Sequence, residues 1–272
     1  MRVPRVSNIA ELKNLLLIIE NNTSLNEILQ SSRIKTKISL REYLKLCSLL
    51  NWIVSEGKII NLTQNGAWIK SNFSGDDGIE SDKKILRQNF LQLSLVKIFL
   101  QNVFENNNNE TNKCPVCLTK DEIESRYLKY RKISEIVVKR ESRFIYNWLL
   151  DLDIIEALPV LAGLNNSVKV CYHMIGKQMT YEEYSQLIIS ESFLSQVFGS
   201  NKPVDWIEIP TIRNKFCIRY CISIDLFNTY LKNFLITHPN DFQLSRGTEL
   251  RNEVKKESLE INDKLFFYIR PT

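Results

Sequence analysis

Histidine is nearly absent from this sequence: His173 and His238 are the only two in 272 residues, while glycine and proline number eight and seven. Two histidines leave little material for imidazole acid–base chemistry. His173 alternates within an apolar strand pattern and His238 precedes a proline, so both read as structural. With 44% hydrophobic and 25% charged residues, the composition excludes wholesale disorder. No Gly-x-x-x-x-Gly-Lys-Ser/Thr loop occurs, which excludes a nucleotide triphosphatase of that type. The longest apolar run covers residues 15–19, far short of a membrane span. The opening Met-Arg-Val-Pro-Arg lacks a signal-peptide hydrophobic region. These absences lead us to expect a cytoplasmic chain with no membrane partner.

The six cysteines lie mostly inside apolar helical or strand patterns, which suits buried thiols in a reducing compartment. A formal net charge of +5 is modest, but its distribution is uneven. Residues 1–75 carry ten Lys/Arg and five Asp/Glu, residues 76–178 fifteen and fourteen, and residues 179–272 eleven and twelve. The whole excess therefore sits in the first quarter of the chain.

That region also holds the clearest structural pattern. Leu40, Tyr43, Leu44, Cys47, Leu50 and Ile53 recur at helical spacing. A tight-turn signal, Glu56-Gly57-Lys58, follows within an alternating stretch, and then Leu62-Thr-Gln-Asn-Gly66, whose threonine can cap a new helix. A helix, a short hairpin and a capped helix in that order resemble the recognition helix and wing of a winged helix-turn-helix domain. The Leu-Thr-x-x-Gly segment and the leucine-rich run before Ile53-Val54 are similar to those of bacterial winged-helix regulators. Function within so broad a superfamily must be argued from the site.

The rest of the chain repeats this plan. Ile9, Leu12, Leu15, Leu16 and Ile19 mark a first helix, and Thr23 or Ser24 can cap a second. Residues 72–78 form a polar linker, and residues 83–104 read as one long helix ending at an asparagine-rich loop. Thr119-Lys-Asp-Glu122 fits a capping box, and a helix through Ile145, Trp148 and Leu149 precedes a wing-like strand at residues 168–174. In the last third, residues 180–198 are amphipathic and residues 210–221 suit a short helix. Ser223 caps a further helix, and two strands follow around a charged excursion. The expected fold class is mainly α with small β-wings, in two to three tandem winged helix-turn-helix modules. Their expected bounds are 1–75, 76–178 with the long leading helix and a Cys-Pro-Val-Cys loop, and 179–272 with an enlarged wing.

Such a fold implies contact with double-stranded DNA through the outward faces of its recognition helices. In the first module these are Arg41, Lys45 and Ser48, with Lys35 and Lys37 in the preceding turn and Lys58 at the wing tip. Glu42 is read as lying on the same face. The second module offers Arg131, Lys132, Lys139, Arg140, Arg143 and Asn147, with Arg126 and Lys129 nearby. The corresponding third helix exposes Asp225, Asn228, Thr229 and Lys232, a nearly neutral face suited to a protein partner.

Metal and catalytic signals are weak. Cys114-Pro-Val-Cys117 has zinc-knuckle spacing, but neither Cys171-Tyr-His173 nor Cys217-x-x-x-Cys221 supplies the second half at the usual spacing, so no metal and no cofactor are expected. Asp241 with Glu253-Val-Lys255 superficially resembles a metal-dependent nuclease set, yet the segment is too polar for a core strand. We expect no enzyme. The expected role is an accessory or specificity subunit of a prokaryotic DNA-processing or phage-defence assembly. The alternatives are a transcription regulator that dimerises through the helix at 83–104, or a protein-binding scaffold.

Overall fold

The computed structural model describes residues 3–6, 8–73, 79–104, 117–162, 167–175, 179–189, 206–246 and 257–271. The polar linker beyond residue 73, the asparagine-rich loop, Cys114, Glu253 and Lys255 lie outside them. The described residues are mostly helical, with small antiparallel sheets.

The first 72 residues follow the order α1 (Ile9–Ile18), β1 (Thr23–Ser24), α2 (Leu25–Ser31), α3 (Lys37–Leu49), β2 (Ile53–Glu56), β3 (Ile59–Leu62) and α4 (Gln64–Asn72). Short polar side chains start the helices. Ser24 and Glu27 form a reciprocal capping box on α2, Thr36 accepts from the Ser39 amide on α3, and Thr63 accepts from the Gly66 amide on α4. Gly57, at φ +67°, makes the turn between β2 and β3. Gly66 has a different role, because a Cβ there would lie 1.9 Å from the Trp52 carbonyl oxygen. β3 pairs with both β2 and the two-residue β1, giving the order β1-β3-β2.

Next come α5 (Ile79–Gln92), α6 (Ser94–Val103), β4 (Leu118–Thr119), α7 (Lys120–Arg131), α8 (Glu135–Asp151), β5 (Ile155–Ala162) and β6 (Ser167–Met174). The expected single helix over 83–104 is thus two helices. Leu93 breaks it with extended backbone (φ −61°, ψ 124°) while remaining buried. Apolar positions continue at helical spacing on both sides of the break, so the periodicity conceals it. Leu86, Phe90, Val96, Phe99, Leu100 and Phe104 are buried within the chain, so the apolar stripe of this segment packs internally.

The last third runs α9 (Tyr181–Ile189), β7 (Ile207–Glu208), α10 (Ile209–Tyr220), α11 (Ile224–Thr237), β8 (Phe242–Ser245), β9 (Leu259–Ile261), β10 (Lys264–Phe266) and β11 (Tyr268–Pro271). Sheet orders β4-β6-β5 and β7-β11-β8 reproduce β1-β3-β2. Among the described residues, one sequence of helix, short strand, two helices and two strands therefore occurs three times. The third copy has an extra β9-β10 hairpin between its last two strands. Helices α3 and α8 even end alike. Asn51 and Asp153 adopt left-handed backbone, and the next amide reaches back five residues, from Trp52 to the Cys47 carbonyl and from Ile154 to the Leu149 carbonyl.

Two compact units result, rather than one per copy: residues 1–111 with 120–155, and residues 112–119 with 156–272. The boundary falls between the second trio of helices and its strands. In the first unit, the Trp148 indole donates to the Val6 carbonyl (2.7 Å) and meets Phe90 edge-on at 5.7 Å. Lys13 pairs with buried Asp82, and the Trp52 indole donates to Asn89 (3.2 Å). The second unit is centred on Tyr184, Phe216, Phe227 and Phe234, all buried. No helix among the described residues is long and apolar enough to cross a membrane.

Candidate nucleic-acid interface

Helix α3 buries Leu40, Tyr43, Leu44, Leu46 and Cys47. Because successive residues advance by about 100° around a helix, that stripe turns Arg41, Lys45 and Ser48 outward, where all three are exposed. Neither Arg41 nor Lys45 pairs with a carboxylate among the described residues. Lys35 and Lys37 are exposed at the amino end of the same helix. Cations there oppose the helix dipole, whereas a bound anion would be stabilised by it. These lysines therefore do nothing for the helix itself. Lys58 is exposed at the turn after Gly57, and its carbonyl accepts from the Leu25 amide, which ties the hairpin to α2. A shallow depression of about 340 Å³ between α3 and β2 is lined by Arg41, Lys45, Ser48 and Ser55. Glu42 is not on this face. It is half-buried and accepts from the Arg5 amide at 2.8 Å, so it does not oppose an approaching phosphate there.

Helix α8 occupies the corresponding place in the second copy and buries Val138, Glu141, Ser142, Ile145, Tyr146, Trp148 and Leu149. Lys139 and Arg143 are exposed, Arg140 and Asn147 half-buried, and Lys132 is exposed in the left-handed turn before the helix. Lys139 forms an i,i+4 pair with Glu135 at 2.7 Å, which raises the lysine's pKa and lowers the glutamate's. Arg131 departs from expectation. Its guanidinium is mostly buried and meets the buried Glu141 carboxylate at 3.0 Å, and that carboxylate also accepts from the Val3 amide at 3.3 Å. Arg131 thus binds α7 to α8 and is withdrawn from any groove. Arg126 is likewise engaged, donating to the Val103 carbonyl at 2.9 Å.

In the third copy α11 carries Asp225 and Thr229 exposed, with Asn228 and Lys232 half-buried. Sequence periodicity did not single out Ile38 and Ile136, each the second residue of its helix and each fully outward. The detectable signal was an apolar residue lying off the buried stripe.

For metals, Cys117 and Cys171 are half-buried, and Cys217 is buried with its thiol 3.7 Å from the Ser223 carbonyl. Burial raises the Cys217 pKa, and the nearby Glu156 charge adds to this. His173 is buried with Nε2 3.5 Å from Glu156. Among the described residues no three His, Cys, Asp or Glu side chains converge as a metal site would require. Asp241 is exposed in a turn after His238.

No protein-family profile matches the chain. No curated protein matches it in sequence. Among solved structures it is similar to the restriction endonuclease FokI bound to DNA, with a TM-score of 0.35 and 11% identity over 95% of this chain and 52% of that one. A second structure of restriction endonuclease FokI gives 0.30 and 11% over 90% and 50%. The chain spans about half the length of these proteins.

Proposed function

We propose that the three copies are tandem winged helix-turn-helix modules, and that the chain binds double-stranded DNA through α3 and α8. The carrying observation is that two helices at the same place in a repeated topology both turn cations outward, with Arg41, Lys45 and Arg143 exposed and unpaired among the described residues. Arginine in a major groove can read guanine, and lysines on the turn and wing reach phosphates. The chain acts without catalysis, as a DNA-reading accessory or specificity subunit of a prokaryotic DNA-processing or phage-defence assembly. The third copy, with Asp225 on its helix, faces a protein partner.

Binding of a randomised duplex pool across a salt series tests this reading. With several phosphates neutralised, log Kd should rise linearly with log salt, at a slope of about 0.9 per phosphate. An affinity unchanged between low and moderate salt, or no retention of duplex at all, would leave the scaffold reading in its place.

A further inference from the structure

In α3 and α8 the second helical residue is an isoleucine pointing into solvent, Ile38 at 76% and Ile136 at 80% exposure. Among the described residues the next most exposed large apolar side chain is Trp68, at 56%. The correspondence extends along both helices. The fifth residues are Arg41 and Lys139, and the ninth are Lys45 and Arg143. Each helix thus presents isoleucine, cation, cation at i, i+3 and i+7, which fall on one face. Helix α11 places Asp225, Asn228 and Lys232 at these positions.

Helix formation does not explain the isoleucines. A β-branched residue is a mediocre helix former, and at these sites it gains nothing from burial. Along its helix each isoleucine is followed on the same face by two cations rather than by further apolar side chains, although Tyr130 and Ile133, just before Ile136, are also partly exposed. The amino end of a recognition helix approaches base edges, and the apolar group that a major groove offers there is the pyrimidine 5-methyl. From the second to the ninth residue a helix rises about 10 Å. The isoleucine can therefore lie over a base while the last cation reaches a phosphate.

We propose that Ile38 and Ile136 are specificity-determining residues that pack on the 5-methyl group of a pyrimidine, either thymine or 5-methylcytosine. The proposal rests on the DNA-binding reading above and adds the chemical group that is read. The test begins by selecting preferred duplexes from a randomised pool with the wild-type chain. Each thymine is then replaced by deoxyuridine and, separately, each cytosine by 5-methylcytosine. Loss of one methyl contact should weaken wild-type binding roughly fourfold, the equivalent of one buried CH₂ group. Ile38→Ala and Ile136→Ala should each lose the response at one position, while Ile38→Val keeps it. Thermal melting of these exposed-site variants should match wild type. A response to deoxyuridine assigns thymine as the source, and a gain on cytosine methylation assigns 5-methylcytosine. Duplex binding that ignores both substitutions, or alanine variants that respond like wild type, would overturn the proposal and leave DNA binding intact. Failure of the wild type to select any duplex would overturn both.

Discussion

Replacing Arg41 and Lys45 together by alanine separates groove contact from fold maintenance. Both side chains are exposed and pair with no carboxylate among the described residues. Their removal should change unfolding free energy by no more than about 0.5 kcal/mol, as at other surface positions. The effect on binding should be much larger. An arginine bidentate to guanine is worth about 1–3 kcal/mol, or roughly 5- to 150-fold in Kd. Loss of one lysine–phosphate contact should also reduce the salt slope by about 0.9. Arg131→Ala is the control, one positive charge lost where the double variant loses two, from a residue that sequence alone would place in the same set. Its partner Glu141 has only 4% of its side chain exposed and also accepts from the Val3 amide. Leaving that carboxylate uncompensated should cost about 3 kcal/mol of stability. The folded fraction should still bind duplex as wild type does. Fluorescence anisotropy against salt, with circular-dichroism melts, reads both quantities. A double variant with wild-type affinity and slope would refute the role of α3, and a double variant that melts far lower would refute the exposure argument.

Other outcomes follow from particular contacts. Gly66→Ala brings a Cβ against the Trp52 carbonyl and should destabilise by about 1–3 kcal/mol or more, seen as a lower denaturation midpoint; an unchanged midpoint would contradict the close approach. Ser24 holds the Glu27 carboxyl below its usual range, so this contribution is complete above the ordinary glutamate pKa and fades as pH falls through the lowered value. Ser24→Ala should therefore lower Tm more at about pH 7 than at about pH 3, and equal losses would dissociate the cap from its charge. Burial raises the Cys47 and Cys217 thiols above the usual range, so brief alkylation near pH 8 should label half-buried Cys171 before either of them. Mass spectrometry showing native Cys47 labelled as fast as Cys171 would contradict its burial.

What sequence determined by itself was local. The stripe of α3, the caps at Ser24, Thr63 and Ser223, and the turn at Gly57 each depend on residues within a few positions of one another, so spacing and turn chemistry reveal them. The tertiary structure decided whatever depends on partners far along the chain. Thr23 pairs with Ile60 to complete the first sheet, a two-residue strand too short to leave a periodic signal. The break at Leu93 occurs inside an uninterrupted apolar rhythm. Charge alone cannot distinguish Arg131 from Arg143. One meets Glu141 after the chain folds and the other does not, because a carboxylate's reach is set in space rather than by sequence distance.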